Sequence, residues 1–220
     1  MLNVTNSPDI YIIGEAGSGK NFIVNILNEL YPSYQVVSIG KPLYDLAKYL
    51  KADDKNGFML TLKQLGFDMF TSQLIWGDIP NHIVKEVKNP AILKPRKALQ
   101  VLGDILRHYN INSLINYTIN RSLDTPTIID DVRLIREGEY LSKAGFKGVR
   151  VYSDKEVRVK RLKMRDKTVD LNRLKHQTET EVDKIPYDFF IDNTIGAKEE
   201  LVEKIKEIIR LSRKEVNVCL

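Results

Sequence analysis

One segment near the N-terminus, residues 10–21, constrains the fold of this chain more than any other. A short apolar run leads into a turn with glycines at positions 14, 17 and 19, and Lys20 then opens a second apolar-periodic run. This order predicts a strand, a loop and a helix. Glycines let backbone N–H groups converge on phosphate oxygens, the helix N-terminus adds its positive dipole end, and a lysine reaches the terminal phosphates. The segment therefore predicts a phosphate-binding loop.

The loop supplies the candidate nucleotide-binding residues. They are Gly14, Ala16, Gly17, Ser18, Gly19, Lys20 and Asn21. Asn21 stands where Ser or Thr normally offers a hydroxyl group to Mg²⁺, and an amide oxygen is a poorer ligand. The sequence therefore predicts phosphate binding by the loop, whereas metal binding through Asn21 stays open.

Composition limits the domain count and the cellular context. The chain has 220 residues, 43% of them hydrophobic, which suffices for one substantial core with insertions. The net charge of +5 suits an anionic small substrate as well as a nucleic acid. There is no signal-like N-terminus, no run of ~20 apolar residues, and a single cysteine, Cys219. We therefore expect one cytoplasmic domain, residues 1–220, with no disulfide framework and no membrane segment.

Further short apolar or β-branched runs indicate strands at residues 35–39, 127–130, 148–152 and 188–191. Helical patterns separate these runs. Strands that alternate with helices predict an α/β fold, here with about five parallel strands flanked by helices and with ligands at the carboxyl ends of the strands.

Two stretches exceed the length that a crossover helix needs. The first, about 40–126, has helical patterns at residues 43–50, 60–70, 83–87, 96–109 and 111–122. The second, about 153–187, begins with a helix near Asp154 and continues into a polar, basic segment. We predict a helical insertion and a basic flap.

Asp131 and Arg133 follow the run at 127–130 and would stand at the end of a central strand, beside the loop. Mg²⁺-bound water and a second phosphate need a carboxylate and an arginine at such a place. The alternative is a helix N-cap Asp followed by a surface Arg. Because the loop is present, the functional interpretation is favoured.

The insertion contains a second candidate group. Arg96 and Gln100 are four residues apart and therefore share a helix face, and Arg107 lies farther along the same helix. An arginine can grip a phosphate, and a glutamine amide can pair with a base edge. Taken alone, such a pair is more often a solvated surface.

The flap contains a third group. Arg158, Arg161 and Arg165 recur at three and four residues and form a stripe, and Arg173 and His176 follow. Guanidinium groups that close over a transferred phosphoryl group stabilise its charge. An ordinary basic surface, filled out by neighbouring lysines, is the alternative.

The order of these segments resembles the deoxynucleoside monophosphate kinases of tailed bacteriophages, within the wider nucleoside monophosphate kinase and dephospho-CoA kinase group. The resemblance rests on the loop, on residues 96–104 with Arg96, Gln100 and Gly103, on the Asp-x-Arg of Asp131 and Arg133, and on residues 176–179 and 188–193. It covers most of the chain from residue 10 to about 209 and is weakest at 53–95.

The resemblance implies a P-loop NTPase fold, ATP and Mg²⁺ as cofactors, and a role for each candidate residue. Lys20 would bridge toward the transferred group, and Asn21 and Asp131 would lie near Mg²⁺. The acceptor nucleotide would be held by Lys41, Arg96, Gln100, Arg107 and Arg133. The arginines of the flap, Arg161 and Arg165 among them, would close over the transfer site, and Asn193 would lie near the donor adenine.

The expected activity is transfer of the ATP γ-phosphoryl group to a deoxynucleoside 5′-monophosphate, in the cytoplasm, which would be the host's if a phage encodes the protein. The resemblance implies a small-molecule partner rather than a nucleic acid and suggests a homodimer. Two alternatives stay open: a kinase like dephospho-CoA kinase, and a non-catalytic module that binds ATP or nucleic acid. A GTP-dependent switch is disfavoured because the chain has no Asn-Lys-x-Asp run.

Overall fold

A computed structural model describes residues 7–92, 95–122, 125–166 and 181–216. The strands are β1 (Ile10–Ile13), β2 (Gln35–Val37), β3 (Thr127–Ile129), β4 (Lys147–Tyr152) and β5 (Phe189–Asp192). The helices are α1 (Lys20–Leu30), α2 (Lys41–Lys51), α3 (Lys55–Gln64), α4 (Met69–Gly77), α5 (Asn81–Lys88), α6 (Arg96–Tyr109), α7 (Ser113–Asn120), α8 (Ile135–Lys143), α9 (Lys155–Asp166) and α10 (Lys198–Val216). A 3₁₀ turn covers Val182–Lys184.

These elements form two compact units. One contains residues 7–37 and the described residues from 125 onward, and the other contains residues 38–122. The first unit holds the sheet, whose strands run in the order β2-β3-β1-β4-β5 and are all parallel. The predicted α/β fold with a five-stranded parallel sheet is therefore confirmed.

The central strand β1 is buried on both faces because helices cover both sides of the sheet. Ile10 and Ile12 pack with α1 and α10 on one side. On the other side, the Tyr11 hydroxyl group lies 2.8 Å from Ser142 Oγ of α8 and donates to the carbonyl oxygen of Pro186 at 2.7 Å. Gly148 of β4 leaves room for that ring, since a Cβ atom there would lie 2.6 Å from the tyrosine oxygen. Burial raises the pKa of Tyr11.

The second unit is helical, with α2 packed against α3, α5 and α6. Its core contains apolar side chains from each of these helices, among them Leu46, Phe58, Ile83 and Leu102. Trp76 of α4 packs edge-to-face on Phe58, with 5.0 Å between ring centroids. Helices α3, α4 and α5, which lie in the stretch for which the sequence offers no function, therefore contribute side chains to this helical core.

The prediction of a single helix over residues 60–70 is wrong. α3 ends at Gln64, and Gly66 takes a φ of +88°, a conformation that ends a helix readily. The Asp68 carboxylate then accepts a hydrogen bond from the Thr71 N–H at 2.7 Å and begins α4. The apolar periodicity continues through this turn, and so the periodicity hides the break.

The other predicted elements differ from the observed ones mainly at their ends. β2 ends at Val37 rather than at residue 39, and the helix predicted over 111–122 covers Ser113–Asn120. α6 has the predicted bounds. Within the described ranges, no helix combines the length and the apolar character that a membrane crossing requires.

Candidate functional site

The predicted phosphate-binding loop joins β1 to α1 at the carboxyl edge of the sheet, where parallel α/β folds bind ligands. Two of its glycines have left-handed backbones, Gly17 with a φ of +82° and Gly19 with a φ of +94°. A Cβ atom on Gly17 would lie 2.7 Å from the carbonyl oxygen of Arg158, and one on Gly19 would overlap the side-chain amide of Asn193. Both positions therefore require glycine, for conformation and for space.

Lys20, the first residue of α1, is folded onto the loop. Its side chain is largely buried, with the residue only 7% exposed. The ammonium group donates hydrogen bonds to the carbonyl oxygens of Gly14 at 2.5 Å and of Glu15 at 3.2 Å. The positive charge is therefore held against the loop backbone, at the end of α1 whose dipole also favours anions.

The carbonyl group of Ser18 faces three donors from other elements. The Asn193 side-chain amide donates to it at 2.8 Å, the Ser153 hydroxyl at 3.1 Å, and Arg161 Nη1 at 3.5 Å. Arg161 also donates to Ser153 Oγ at 2.9 Å and to the Asn193 carbonyl oxygen at 2.8 Å. The loop is thus tied to the end of β5 and to the start of α9.

A second contact between the loop and α9 is ionic. Arg158 Nη2 lies 2.7 Å from Glu15 Oε1, and its Nη1 lies 3.5 Å from the carbonyl oxygen of Ala16. Both side chains are shielded, at 12% and 25% exposure. Two arginines of the predicted flap stripe, Arg158 and Arg161, therefore contact the loop.

Asp131 and Arg133 follow β3, which is the neighbour of β1 in the sheet. Tyr11 pairs with Ile129 in parallel register, so this segment leaves the sheet at the same edge as the loop. Glu137 of α8 fixes the segment, since its carboxylate accepts hydrogen bonds from the N–H groups of Arg133 at 3.0 Å and of Leu134 at 3.1 Å. Both predicted side chains are half-buried.

Two of the candidate acceptor residues of the helical unit, Arg96 and Gln100, lie on exposed surface. Arg96 and Gln100 are both exposed on α6, whereas Ala98 and Leu102 form its buried face. The two polar side chains therefore lie away from the buried face of the helix.

Two other predicted acceptor residues are engaged in ion pairs within the helical unit. Arg107 lies 3.7 Å from Asp104, and Lys41 Nζ donates to Asp45 at 2.5 Å. These two would have to exchange a carboxylate partner for a phosphate.

The remaining predicted residues of the basic flap lie at the end of α9 or beyond it. Arg165 is exposed near the end of α9. Arg173, His176 and the rest of residues 176–179 lie outside the described residues.

The described residues contain no group of three His, Cys, Asp or Glu side chains that could hold a metal ion. Mg²⁺ in nucleotide sites is commonly bound by one or two protein oxygens together with phosphates and water. Asn21 is exposed in the first turn of α1, and Asp131 follows β3. These two residues fit only the sparse kind of magnesium site, in which the nucleotide supplies most of the ligands.

A groove of about 870 Å³ runs along the outer edge of the sheet, between β5 and the start of α10. Phe190 lines it and stacks on Tyr152 with 5.9 Å between ring centroids. The Tyr152 hydroxyl group donates to Asp154 at 3.0 Å, and this hydrogen bond raises the pKa of Tyr152. The groove carries several carboxylates, which oppose the binding of a phosphorylated ligand there.

Sequence reasoning assigned no role to Glu15 or Ser153, and it connected Asn193 only with the adenine. A signal for Ser153 was present, because this hydroxyl residue directly follows β4, the other neighbour of β1. The pairing of Arg158 with Glu15 has no local signal, since the two residues are far apart in sequence.

No model of a known protein family matches the chain, and no curated protein matches it in sequence. Its structure is similar to the crystal structure of TT1252 from Thermus thermophilus, with a TM-score of 0.52 and 18% identity over 93% of this chain and 97% of that one. It is also similar to shikimate kinase from Acinetobacter baumannii in complex with shikimate, with a TM-score of 0.43 and 16% identity over 92% of this chain and 93% of that one.

At 18% identity, the likeness to TT1252 concerns the fold. The parallel sheet flanked by helices, with a glycine-rich loop between β1 and α1 and a lysine at the first position of α1, is a P-loop NTPase fold. The fold predicted from the sequence is thereby confirmed.

Proposed function

We propose that this protein is an ATP-dependent kinase that phosphorylates deoxynucleoside 5′-monophosphates to diphosphates. The observation that carries the proposal is the loop itself. Two left-handed glycines shape it, Lys20 lies against its backbone, and α1 begins at its end. This combination supports the binding of a nucleoside triphosphate through its phosphates.

ATP is the proposed phosphoryl donor because the loop has the glycine-rich sequence and the lysine of a triphosphate-binding loop. Residues 14–21 would hold its phosphates, with Lys20 near the transferred group. Mg²⁺ would be held by the phosphates together with Asp131 and, more weakly, Asn21. Bound in this way, ATP supplies the phosphoryl group, and Mg²⁺ neutralises part of its charge.

The acceptor assignment rests on the helical unit and on the resemblance to phage kinases. Arg96 and Gln100 share the exposed face of α6, so one ligand can meet a guanidinium group and an amide together. A guanidinium group binds phosphate in two-point fashion, and an amide can pair with a base edge. A nucleoside monophosphate carries both partners. Arg133, beside the loop edge, would meet the acceptor phosphate.

The chemistry asked of the protein is alignment and charge neutralisation, with no covalent enzyme intermediate. Lys20 would neutralise charge on the donor side, and Arg133 on the acceptor side. Asp131 would orient the acceptor or a metal-bound water molecule. Residues of the region about 153–187, such as Arg165, would exclude water and so prevent wasteful hydrolysis.

In this proposal the 220 residues act as one kinase domain in the cytoplasm. Residues 38–122 would provide the acceptor-binding part. A kinase that acts on dephospho-CoA has the same need for a phosphate loop, and so the acceptor must be found by assay.

The test is the Lys20→Ala variant, assayed for ADP formation with ATP and each deoxynucleoside monophosphate in turn. We expect the wild type to phosphorylate at least one of them and the variant to lose about 100-fold or more in kcat/KM, because a buried charge at the phosphates is removed. Lys198→Ala is the matched control, since Lys198 is an exposed lysine that forms an ion pair with Glu29 on the protein surface.

Three results would contradict the proposal. Undiminished ADP formation by Lys20→Ala would remove the loop assignment. Phosphoryl transfer to dephospho-CoA, with none to any deoxynucleoside monophosphate, would show that the proposed acceptor is wrong. Steeply salt-dependent binding of DNA or RNA, without transfer to any small acceptor, would favour the non-catalytic module.

A further inference from the structure

The peptide group between Ser18 and Gly19 lies at the end of the phosphate-binding loop, directly before α1. Cis peptide bonds are absent from the described residues, so the carbonyl group and the N–H group of this unit point in opposite directions. Three donors from other elements surround the carbonyl oxygen of Ser18. When they hold the carbonyl group toward the protein, the Gly19 N–H group must point away from it, to the side where phosphate oxygens are bound.

The backbone alone does not fix this orientation. Gly19 has a φ of +94°, and glycine adopts positive and negative φ with similar ease. A peptide group next to a glycine can therefore rotate at little steric cost. A rotated Ser18–Gly19 unit would present a carbonyl oxygen to the bound phosphate and lose one N–H donor.

The side chains of Asn193 and Ser153, which donate to the Ser18 carbonyl group, are buried and can therefore prevent this rotation. Asn193 is 2% exposed and Ser153 is 1% exposed, so water cannot easily replace their hydrogen bonds. The backbone of Asn193 is itself fixed. Its backbone N–H group donates to the Tyr152 carbonyl oxygen at 2.8 Å, and its backbone carbonyl oxygen accepts a hydrogen bond from Arg161 at 2.8 Å. The third donor, Arg161 Nη1, is longer at 3.5 Å and contributes least to the orientation.

We infer that Asn193 and Ser153 are positioning residues that orient the Ser18–Gly19 peptide for phosphate binding. They act through the loop backbone and need not touch the nucleotide. This inference shares with the proposed function the assumption that the loop binds a triphosphate, and it is independent of the acceptor. It assigns a function to Ser153. It also gives Asn193 a positioning role in the loop in place of the expected position near the adenine.

The two roles for Asn193 make different predictions for two probes, ATP and inorganic tripolyphosphate. A residue that contacts adenine affects only ATP. A residue that orients the loop affects both probes by the same factor, since both bind through the same N–H groups.

The experiment measures the dissociation constants of both probes by isothermal titration calorimetry for the wild type, Ser153→Ala and Asn193→Leu. We expect Ser153→Ala to weaken both probes by about 3- to 10-fold, the usual effect of one buried hydrogen bond. Asn193→Leu should weaken both by a larger factor, because it removes the shorter bond. The ratio of the two dissociation constants should stay at its wild-type value.

Ser212→Ala is the matched control. Ser212 is also fully buried, and its hydroxyl group donates to the Ile208 carbonyl oxygen within α10. Its substitution removes one buried hydroxyl group, as Ser153→Ala does, but should leave both dissociation constants unchanged. This contrast separates a positioning role from the general effect of deleting a buried hydroxyl group.

A loss confined to ATP would overturn the inference, and so would folded variants with unchanged affinity for both probes. If Asn193→Leu does not fold, Ser153→Ala decides alone, because it removes a single oxygen atom. Failure of the proposed function looks different: the wild type would bind both probes normally but phosphorylate no deoxynucleotide. A wild type that binds neither probe would overturn both.

Discussion

The loop after β1 carries the proposed donor-binding residues and the outer face of α6 carries proposed acceptor-binding residues, and the two regions are built in opposite ways. In the loop, Lys20 is buried and the Ser18 carbonyl group is bonded from β5 and α9. On α6, Arg96 and Gln100 are both exposed. The loop is therefore held by contacts within the protein, whereas the two side chains on α6 are exposed to solvent.

This difference has an energetic meaning. A preformed site avoids the cost of ordering on binding, whereas each long exposed side chain loses rotamer freedom when it grips a ligand, about 1–2 kcal/mol for arginine. Substitutions in the loop should therefore change geometry and act on everything that binds there. Substitutions on α6 should remove single contacts and act on one substrate only.

The largest expected effect is that of Gly19→Ala. Gly19 has a φ of +94°, which residues with a side chain rarely adopt, and the new Cβ atom would overlap the Asn193 side-chain amide. The loop must therefore distort, or Asn193 must release the Ser18 carbonyl group. We expect the affinity for ATP to fall by about 100-fold, with about 1–3 kcal/mol of backbone strain in addition. Calorimetry with ATP measures the first effect and thermal unfolding the second.

Gly66→Ala is the matched control for Gly19→Ala. Gly66 has nearly the same φ, +88°, but a Cβ atom there would meet nothing within 4 Å. This variant should show the strain as lost stability and keep full affinity for ATP. Equal losses of affinity in the two variants would show that the loop has no special geometry to lose.

The next effect concerns α6. Arg96→Ala should raise the KM for the deoxynucleoside monophosphate by about 10- to 100-fold, the value of a charge-assisted hydrogen bond to phosphate, and leave the KM for ATP unchanged. Steady-state kinetics with each substrate varied in turn measures both constants. Lys97→Ala is the control, because Lys97 is also an exposed cation of α6. If both variants raise the KM equally, Arg96 acts only through long-range charge.

The same contrast explains which features can be predicted from the sequence. The loop is local: its glycines, its lysine and the flanking apolar runs are contiguous, and the periodicity of α6 gives the face that Arg96 and Gln100 share. The support of the loop is not local, since Asn193 lies 175 positions from Ser18. Only the order of the strands in the sheet brings the ends of β1, β4 and β5 side by side, and a single sequence does not contain that order.

The break between α3 and α4 is a different kind of failure. Gly66 and Asp68 are ordinary helix-ending and helix-starting residues, and both are visible in the sequence. The apolar period continues across them because both helices bury residues in the same core, such as Leu62 and Ile75. Here the chemistry of the turn is a better guide than periodicity.

A smaller effect should come from Glu15→Gln. The Glu15 carboxylate neutralises Arg158 beside the loop at 2.7 Å. Its replacement by an amide leaves an additional positive charge near the proposed phosphate site. We expect the affinity for tripolyphosphate to rise by about 2- to 5-fold at low salt and the gain to shrink as salt is added. Calorimetry at two ionic strengths measures this change, and a loss of affinity would mean that the ion pair is needed to hold the loop.

The smallest effect should come from Asp68→Ala, which tests whether the helical unit can lose stability without any change in the loop. Asp68 begins α4, and its hydrogen bond from the Thr71 N–H holds the pKa of Asp68 below the ordinary value of 3.8. Because the folded pKa is lowered, this stabilisation is present above that value and is lost as the pH falls through the folded pKa. We expect the unfolding midpoint at neutral pH to fall by about 2–4 °C, with unchanged affinity for ATP.

Asp68→Asn separates the hydrogen bond from the charge. Asparagine caps helices about as well as aspartate, so the midpoint at neutral pH should be nearly that of the wild type. The amide does not titrate, and so the part of the acid-induced loss of stability that belongs to Asp68 should disappear in this variant. A pH series of thermal unfolding curves for the three proteins measures both effects. If Asp68→Ala also weakens ATP binding, the helical unit and the loop are energetically coupled, and the two regions cannot be treated as independent.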